Sequence, residues 1–275
     1  MEWIKSLKII LFAILEGITE WLPVSSTGHM LLLDRVLPLS FDKAMKDIFL
    51  YTIQFGAVLA VVALFWKKLF PLKKAGAGIR RDCKIEVERS VLQLWGKVLL
   101  ACVPSLVGLF FDLPESPILI ATMLIFYGVL FLIVETKNKH RNFRVHSVDD
   151  ISYQQALIIG IFQTLAILPG TSRSGVTILG ALFLGISRPA GAEFTFFLAV
   201  PTMAGASLLK IFSYLLSGGE LTLAQFGYLA LGAIFAFAVS MIVIRMLMRF
   251  VQKHDFKAFG IYRIALGILV LFTIV

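Results

Sequence analysis

Charge is scarce in this chain. Only 16% of its 275 residues are Asp, Glu, Lys or Arg, and 59% are hydrophobic. An ordinary soluble domain carries about 25% charged and about 45–50% apolar residues. A mean hydropathy of +0.89 points the same way. Several stretches approach or exceed the roughly 20 apolar residues that cross a bilayer, so the sequence reads as a polytopic membrane protein. Cysteine is scarcer still. Cys83 sits in a basic loop and Cys102 in an apolar helix, and their isolation excludes a disulfide framework or a zinc site. Acidic residues, 17 against 26 Lys and Arg, leave a net charge of +9. In a membrane protein that excess marks cytoplasmic loops rather than nucleic-acid binding. A cleavable signal peptide is not expected either. Glu2 lies in the n-region, Glu16 and Glu20 interrupt the apolar run, and no small-residue cleavage site follows.

Ten helical segments are present in the pattern. The first five span about 7–22, 27–37, 45–66, 92–111 and 116–135. The second five span about 153–168, 174–186, 190–216, 223–250 and 258–275. Pro23, Pro38, Pro71, Pro114, Pro117, Pro169 and Pro189 and the Ser217-Gly218-Gly219 turn punctuate them. The halves match. Each opens with a short helix ending in Leu-Pro, passes through a knot of Ser, Thr and Gly, and enters a second short helix. The knots are Leu22-Pro23-Val24-Ser25-Ser26-Thr27-Gly28 and Leu168-Pro169-Gly170-Thr171-Ser172-Arg173-Ser174-Gly175. This duplication excludes a short-period solenoid.

Basic residues fix an orientation. Lys67, Lys68, Lys73, Lys74, Arg80, Arg81, Lys84 and Arg89 fill one loop, and Lys137, Lys139, Arg141 and Arg144 another. Arg245, Arg249, Lys253 and Lys257 cluster near the last connection. The turns around 112–116 and 217–222 have no Lys or Arg. With basic loops cytoplasmic, six segments cross the membrane: 45–66, 92–111, 116–135, 190–216, 223–250 and 258–275. The segments 7–37 and 153–187 then enter and leave on one side, as re-entrant helical hairpins. The expected fold is therefore all-α, a single membrane domain of 1–275. Its halves, 1–135 and 153–275, form an inverted-topology repeat with six transmembrane helices and two re-entrant hairpins. Such folds place polar sites near the midplane, where broken helices meet.

The knots fall at the hairpin tips. Irregular backbone at that depth must be buried or line a wet cavity. Ser25, Ser26 or Thr27 can cap the helix after the first knot, and Thr171, Ser172 or Ser174 the helix after the second. Two helix N-termini with Arg173 between them suit a phosphate or diphosphate. Glu16 and Glu20 lie four apart, on one helix face. Each carboxylate at bilayer depth costs about 2.5–3.5 kcal/mol, and the two repel unless a cation or proton lies between them. Mg2+ or Ca2+, which prefer carboxylate and phosphate oxygens, would bridge both acids to a diphosphate. His29, three residues beyond Ser26, is a candidate acid, base or nucleophile.

EGITEWLPVSSTGHM and LPGTSRSGVT resemble the two signature motifs of the bacterial undecaprenyl-diphosphatase family, also called bacitracin-resistance proteins. The first matches an acidic ExxxE stretch running into SSTGH. The second matches PGxSRSxxT at Pro169, Gly170, Ser172, Arg173, Ser174 and Thr177. Similar stretches occur at Ile53-Gln54-Phe55-Gly56, Ala192-Glu193-Phe194, Val200-Pro201 and Ile261-Tyr262-Arg263. The resemblance implies hydrolysis of undecaprenyl diphosphate to its monophosphate and phosphate, recycling the lipid carrier for peptidoglycan and other envelope polymers. It implies the bacterial inner membrane, a site reached from the outer, periplasmic face, and dependence on Mg2+ or Ca2+. By this likeness Glu20, Ser26, His29 and Arg173 are catalytic, Glu16 and Glu20 hold the metal, and Ser25, Thr27, Gly170, Ser172, Ser174 and Thr177 bind substrate. Attack by a serine and attack by water both fit. Membrane lipid is an expected partner, nucleic acid is not, and a homodimer is an open expectation. The family often carries an acid where this chain has Leu50, so that position is left out of the site.

Glu193 is expected to cap helix 190–216, and Arg263 to snorkel to the cytoplasmic interface. The alternative function is a prenyl-phosphate transporter or flippase with the same anion pocket, because inverted repeats with broken helices also build transporters. An acid-phosphatase-type enzyme fits poorly, since His140, His146 and His254 all lie in basic loops.

Overall fold

The computed structural model describes residues 2–74, 85–111, 113–114 and 116–274. Cys83, Arg80, Arg81 and Lys84 lie outside the described residues. The described chain is almost wholly helical. The helices are α1 (Glu2–Thr19), α2 (Ser26–Val36), α3 (Lys43–Leu64), α4 (Trp66–Leu69), α5 (Arg89–Cys102), α6 (Pro117–Lys137), α7 (Tyr153–Thr164), α8 (Arg173–Phe183), α9 (Arg188–Leu216), α10 (Leu223–Phe250) and α11 (Lys257–Ile274). All ten expected segments are present. Two short antiparallel strands, β1 (Leu72–Lys74) and β2 (Ile85–Val87), were not expected in the basic loop.

Six helical stretches are long and apolar enough to cross a membrane: Lys43–Leu64, Arg89–Gly108, Pro117–Lys137, Arg188–Leu216, Leu223–Phe250 and Lys257–Ile274. They are the six expected spans. Their outer faces carry Leu, Ile and Phe, with Leu216, Leu223 and Phe272 each at least 85% exposed. In water those faces would associate; in a bilayer they meet lipid.

Local chemistry sets the helix ends. Asp42 caps α3 by accepting from the Met45 N–H at 2.8 Å. Ser152 with Gln155, and Thr222 with Gln225, form reciprocal capping boxes at the starts of α7 and α10. The fourth segment departs from expectation. It is α-helical only to Cys102 and continues as a 3-10 helix over Val103–Phe110. Pro104 has no N–H and its ring crowds the preceding turn, which explains the change of winding.

Packing partners exchange between the two halves. Helix α3 packs on α10 and α5 on α9, while α1 packs on α10 and α7 on α5. The pairs α3 with α9 and α6 with α11 map onto themselves. Glycine allows the closest crossings. A β-carbon on Gly128 would lie 2.8 Å from the Gly260 carbonyl oxygen, and one on Gly260 would lie 2.9 Å from that of Gly128. The main core is rich in phenylalanine, with Phe12, Phe49, Phe131, Phe194, Phe196, Phe197 and Phe256 at most 1% exposed.

Candidate active site

The two knots lie against each other. Ser174 on α8 donates its hydroxyl to the Glu20 carbonyl at 3.1 Å and the Leu22 carbonyl at 3.2 Å. Glu20 is 7% exposed and Glu16 5%. The Glu20 carboxylate joins the halves, with one oxygen accepting from Arg173 Nη2 and the other from Ser26 Oγ at 2.8 Å. Arg173 also reaches Thr202 Oγ1 at 3.4 Å and the Met203 sulfur on α9. Glu20, Ser26 and Arg173, separated by up to 153 positions in sequence, therefore form one hydrogen-bonded unit.

Strained backbone marks both knots. Among the described residues, Ser25 (φ 73°) and Ser172 (φ 66°) are the non-glycine residues with positive φ. Each immediately precedes its helix, and each such conformation costs on the order of 1–3 kcal/mol. The resemblance between the turns ends at the side chains. Ser172 Oγ caps α8, accepting from the Gly175 N–H at 3.2 Å. Ser25 occupies the N-cap position of α2 without a side-chain cap bond, and its buried Oγ has no partner among the described residues.

The remaining expected residues divide. Gly170 adopts φ +89°, and a β-carbon there would sit 2.6 Å from the Ile120 carbonyl oxygen, so the turn has room only for glycine. Thr27 lies half-buried on the first turn of α2. Thr177 is fully buried, donates to the Arg173 carbonyl at 2.9 Å and accepts from Thr195 at 2.9 Å, so it braces α8 from behind. His29 faces α11. Its Nδ1–H donates to the Ser25 carbonyl at 2.7 Å, and in the neutral ring Nε2 accepts from the Tyr262 hydroxyl at 2.8 Å. No hydrogen bond joins His29 to Glu20, Ser26 or Arg173.

Two expectations are corrected. Glu193 does not cap α9. With Pro189 in its first turn, α9 begins at Arg188, so Glu193 falls in the second turn and pairs with Lys68 at 2.5 Å. Arg263 does not snorkel. It is 0% exposed, and its guanidinium donates to the carbonyls of Pro23, Gly170, Thr171 and Met123. The irregular turns leave carbonyls without helical partners, and these offer Arg263 acceptors inside the protein. A charge within an 18-residue apolar helix was the signal that could have found it.

The acids suit a hard cation in part. Among the described residues no three His, Cys, Asp or Glu side chains converge, so the chain makes no complete cage. Two buried carboxylates one turn apart fit an ion that takes its other ligands from phosphate and water, as Mg2+ commonly does.

A model of the family described as bacitracin resistance protein BacA matches residues 9–269. The chain belongs to this family. Over 277 residues it is 50% identical to the undecaprenyl-diphosphatase of Enterococcus faecalis, covering 98% of each chain. It is 48% identical to that of Lachnoclostridium phytofermentans over 275 residues, covering 98% of this chain and 97% of the other. With undecaprenyl-diphosphatase 1 of Clostridium acetobutylicum it shares 44% identity over 284 residues and the whole of both chains. The BacA match takes in both knots, Glu16, Glu20 and Arg263.

Proposed function

We propose that this protein is an integral membrane phosphatase that hydrolyses undecaprenyl diphosphate to undecaprenyl phosphate and inorganic phosphate. It thereby recycles the lipid carrier for cell-wall synthesis and confers resistance to bacitracin. The observation that carries this reading is the Ser26–Glu20–Arg173 unit at the meeting of two helix starts. It joins a nucleophile, a base and an anion clamp, which is more than a transport site requires, and the relatives described above are each named undecaprenyl-diphosphatase.

Glu20 engages the donors that a phosphate would use. A terminal phosphate entering between the knots takes over Arg173, whose planar fork suits two phosphate oxygens. The N-terminal N–H groups of α8 add further donors. Ser26 Oγ then attacks the terminal phosphorus and passes its proton to Glu20. The bond from phosphorus to the bridging oxygen breaks, and its electron pair leaves on undecaprenyl phosphate. Water hydrolyses the phosphoserine, releases orthophosphate and restores Ser26. His29, one turn along α2, is the base available to that water once Nε2 parts from Tyr262. Mg2+ or Ca2+ held by Glu16 and Glu20 would offset the charge gathered on the phosphates.

The same reading makes 1–135 and 153–275 inverted repeats, each a re-entrant hairpin followed by three crossings. The exchanged packing partners and the paired strained serines support it. It puts the protein in the bacterial inner membrane with loops 67–91 and 136–152 inside and the site open to the periplasmic face, as the Lys and Arg distribution favours. In intact cells, with Cys83 and Cys102 replaced, Ser217→Cys should react with an impermeant thiol reagent and Lys139→Cys should not. The reverse pattern would overturn the orientation.

The activity has a direct test. Detergent-purified protein, with no membrane gradient, should release phosphate from a long-chain prenyl diphosphate when Mg2+ or Ca2+ is present, and a chelator should stop it. Folded protein that binds this lipid but releases no phosphate with either ion would defeat the phosphatase reading and restore the transporter.

A further inference from the structure

Among the described residues, Arg263 is a buried cation without a buried anion. Its guanidinium meets four backbone carbonyls and lies over the Tyr127 ring at 5.8 Å, and among the described residues no carboxylate pairs with it. Its Nε is buried and has no hydrogen-bond partner among the described residues. Removing such a charge from water is expensive unless something else in the protein repays the cost.

The carbonyls involved are informative. Pro23 O, at 3.3 Å, belongs to the first knot; Gly170 O, at 3.0 Å, and Thr171 O, at 2.9 Å, belong to the second. One side chain thus holds both irregular turns from the same side. No cis peptide occurs among the described residues. In a planar trans peptide the N–H points opposite to the carbonyl that precedes it. Each carbonyl drawn onto Arg263 therefore turns the next N–H away from it. Two of those amides close the turns, Val24 onto Leu22 O at 2.7 Å and Thr171 onto Leu168 O at 3.1 Å. The third is Ser172, whose φ of 66° fixes the orientation of that peptide plane. Its N–H points away from Arg263 and adjoins the first N–H groups of α8, which no helical turn satisfies.

We propose that Arg263 is a positioning residue for the phosphate site. From behind the two knots it holds the Thr171–Ser172 peptide so that the Ser172 N–H joins the amides of Arg173 and Ser174 in facing the anion. The positive charge is repaid when the phosphate binds on the far side of the same peptides. This role rests on the phosphatase reading but makes a separate demand. Arg263 must act through backbone geometry, touching neither substrate nor metal.

The test compares full-length wild type with Arg263→Lys and Arg263→Gln in detergent. Lysine keeps the charge but loses the planar fork that spans both turns. With a long-chain prenyl diphosphate, kcat in Arg263→Lys should fall about 10²–10³-fold, the scale of one lost preorganised donor. KM should change less, and orthovanadate should inhibit at least about tenfold more weakly. Arg263→Gln should be worse on both measures. Binding of Mn2+ alone at Glu16 and Glu20 should stay at the wild-type level. Wild-type kcat and vanadate inhibition in Arg263→Lys would overturn the proposal. So would joint loss of Mn2+ and vanadate binding, since that is collapse of the site. If neither variant folds, amide exchange in the wild type decides. Vanadate should slow exchange at residues 172–174, and unchanged exchange there overturns the proposal. Wild type that releases no phosphate would instead defeat the phosphatase reading itself.

Discussion

The hairpins α1–α2 and α7–α8 share a plan but not a packing. Nine of the 11 residues of α8 are buried, whereas α2 buries only Gly28 and His29 among its 11. The far end of α8 is tied down as well. Asn138 donates to the Leu182 carbonyl, and Arg141 to the carbonyls of Leu182 and Phe183. Arg144 and Ser187 extend that seam through backbone bonds to Gly185 and Val145. By contrast, α2 leans on α1, α6 and α11 by one side, and its far end is held by the half-exposed Asp34–Lys46 pair. The two hairpins are thus held with different firmness. The second hairpin is a fixed cradle that carries Arg173. The first carries Glu16 on the buried face of α1, Glu20 in the turn that follows, and Ser26 and His29 on the less buried α2.

Within the two hairpins, that division makes Arg173 the side chain with the largest expected effect. Arg173→Lys keeps a cation in the cradle but loses the second parallel donor. Turnover of a long-chain prenyl diphosphate should fall about 10²–10³-fold, with the melting temperature nearly unchanged because α8 is held by its buried face. A loss below tenfold would mean that the cradle does not need the fork, and the contrast between the hairpins would lose its functional meaning.

Ser26 tests the looser side. Ser26→Ala removes the hydroxyl that Glu20 holds at 2.8 Å. Serine attack then predicts a severe loss of rate, no trappable phosphoserine, and lipid binding largely retained. Near-normal turnover would exclude Ser26 as the nucleophile and leave attack by water. An intermediate loss, about tenfold, with no phosphoserine in the wild type either would assign the hydroxyl to orienting the water.

Much of this was legible in sequence, for identifiable reasons. The six spans are long apolar runs with basic loops at one end, a one-dimensional signal. The knots stood out because Ser, Thr, Gly and Pro clusters are rare inside apolar stretches. The partner of a buried charge was not legible. Arg263 lies among Ile, Tyr and Ala in sequence, and a snorkelling arginine would look the same there. Only the fold brings the carbonyls of residues 23, 123, 170 and 171 around it. Glu193 failed similarly, because its partner Lys68 lies 125 positions away. The Glu20–Arg173 bond was half visible, since both residues were expected in the site but as ligands of different groups.

The smallest expected effect compares the two strained serines directly. Both Ser25 and Ser172 precede a helix with positive φ, and alanine would bear nearly the same backbone strain at either position. The side chains differ in what they do. Ser172 Oγ accepts from the Gly175 N–H, so Ser172→Ala leaves an amide at the start of α8 without its cap. Loss of such a cap costs about 1 kcal/mol, equivalent to a fall in melting temperature of about 2–4 °C for a chain of this order of size. Ser25 Oγ makes no cap bond, and its removal deletes a buried polar atom that has no partner among the described residues. Ser25→Ala should therefore melt at or slightly above the wild-type temperature. Melting of both variants in the same detergent checks the difference. Equal destabilisation would mean that Ser25 caps α2 in solution, and the two turns would then be alike in their side chains as well as in their backbones.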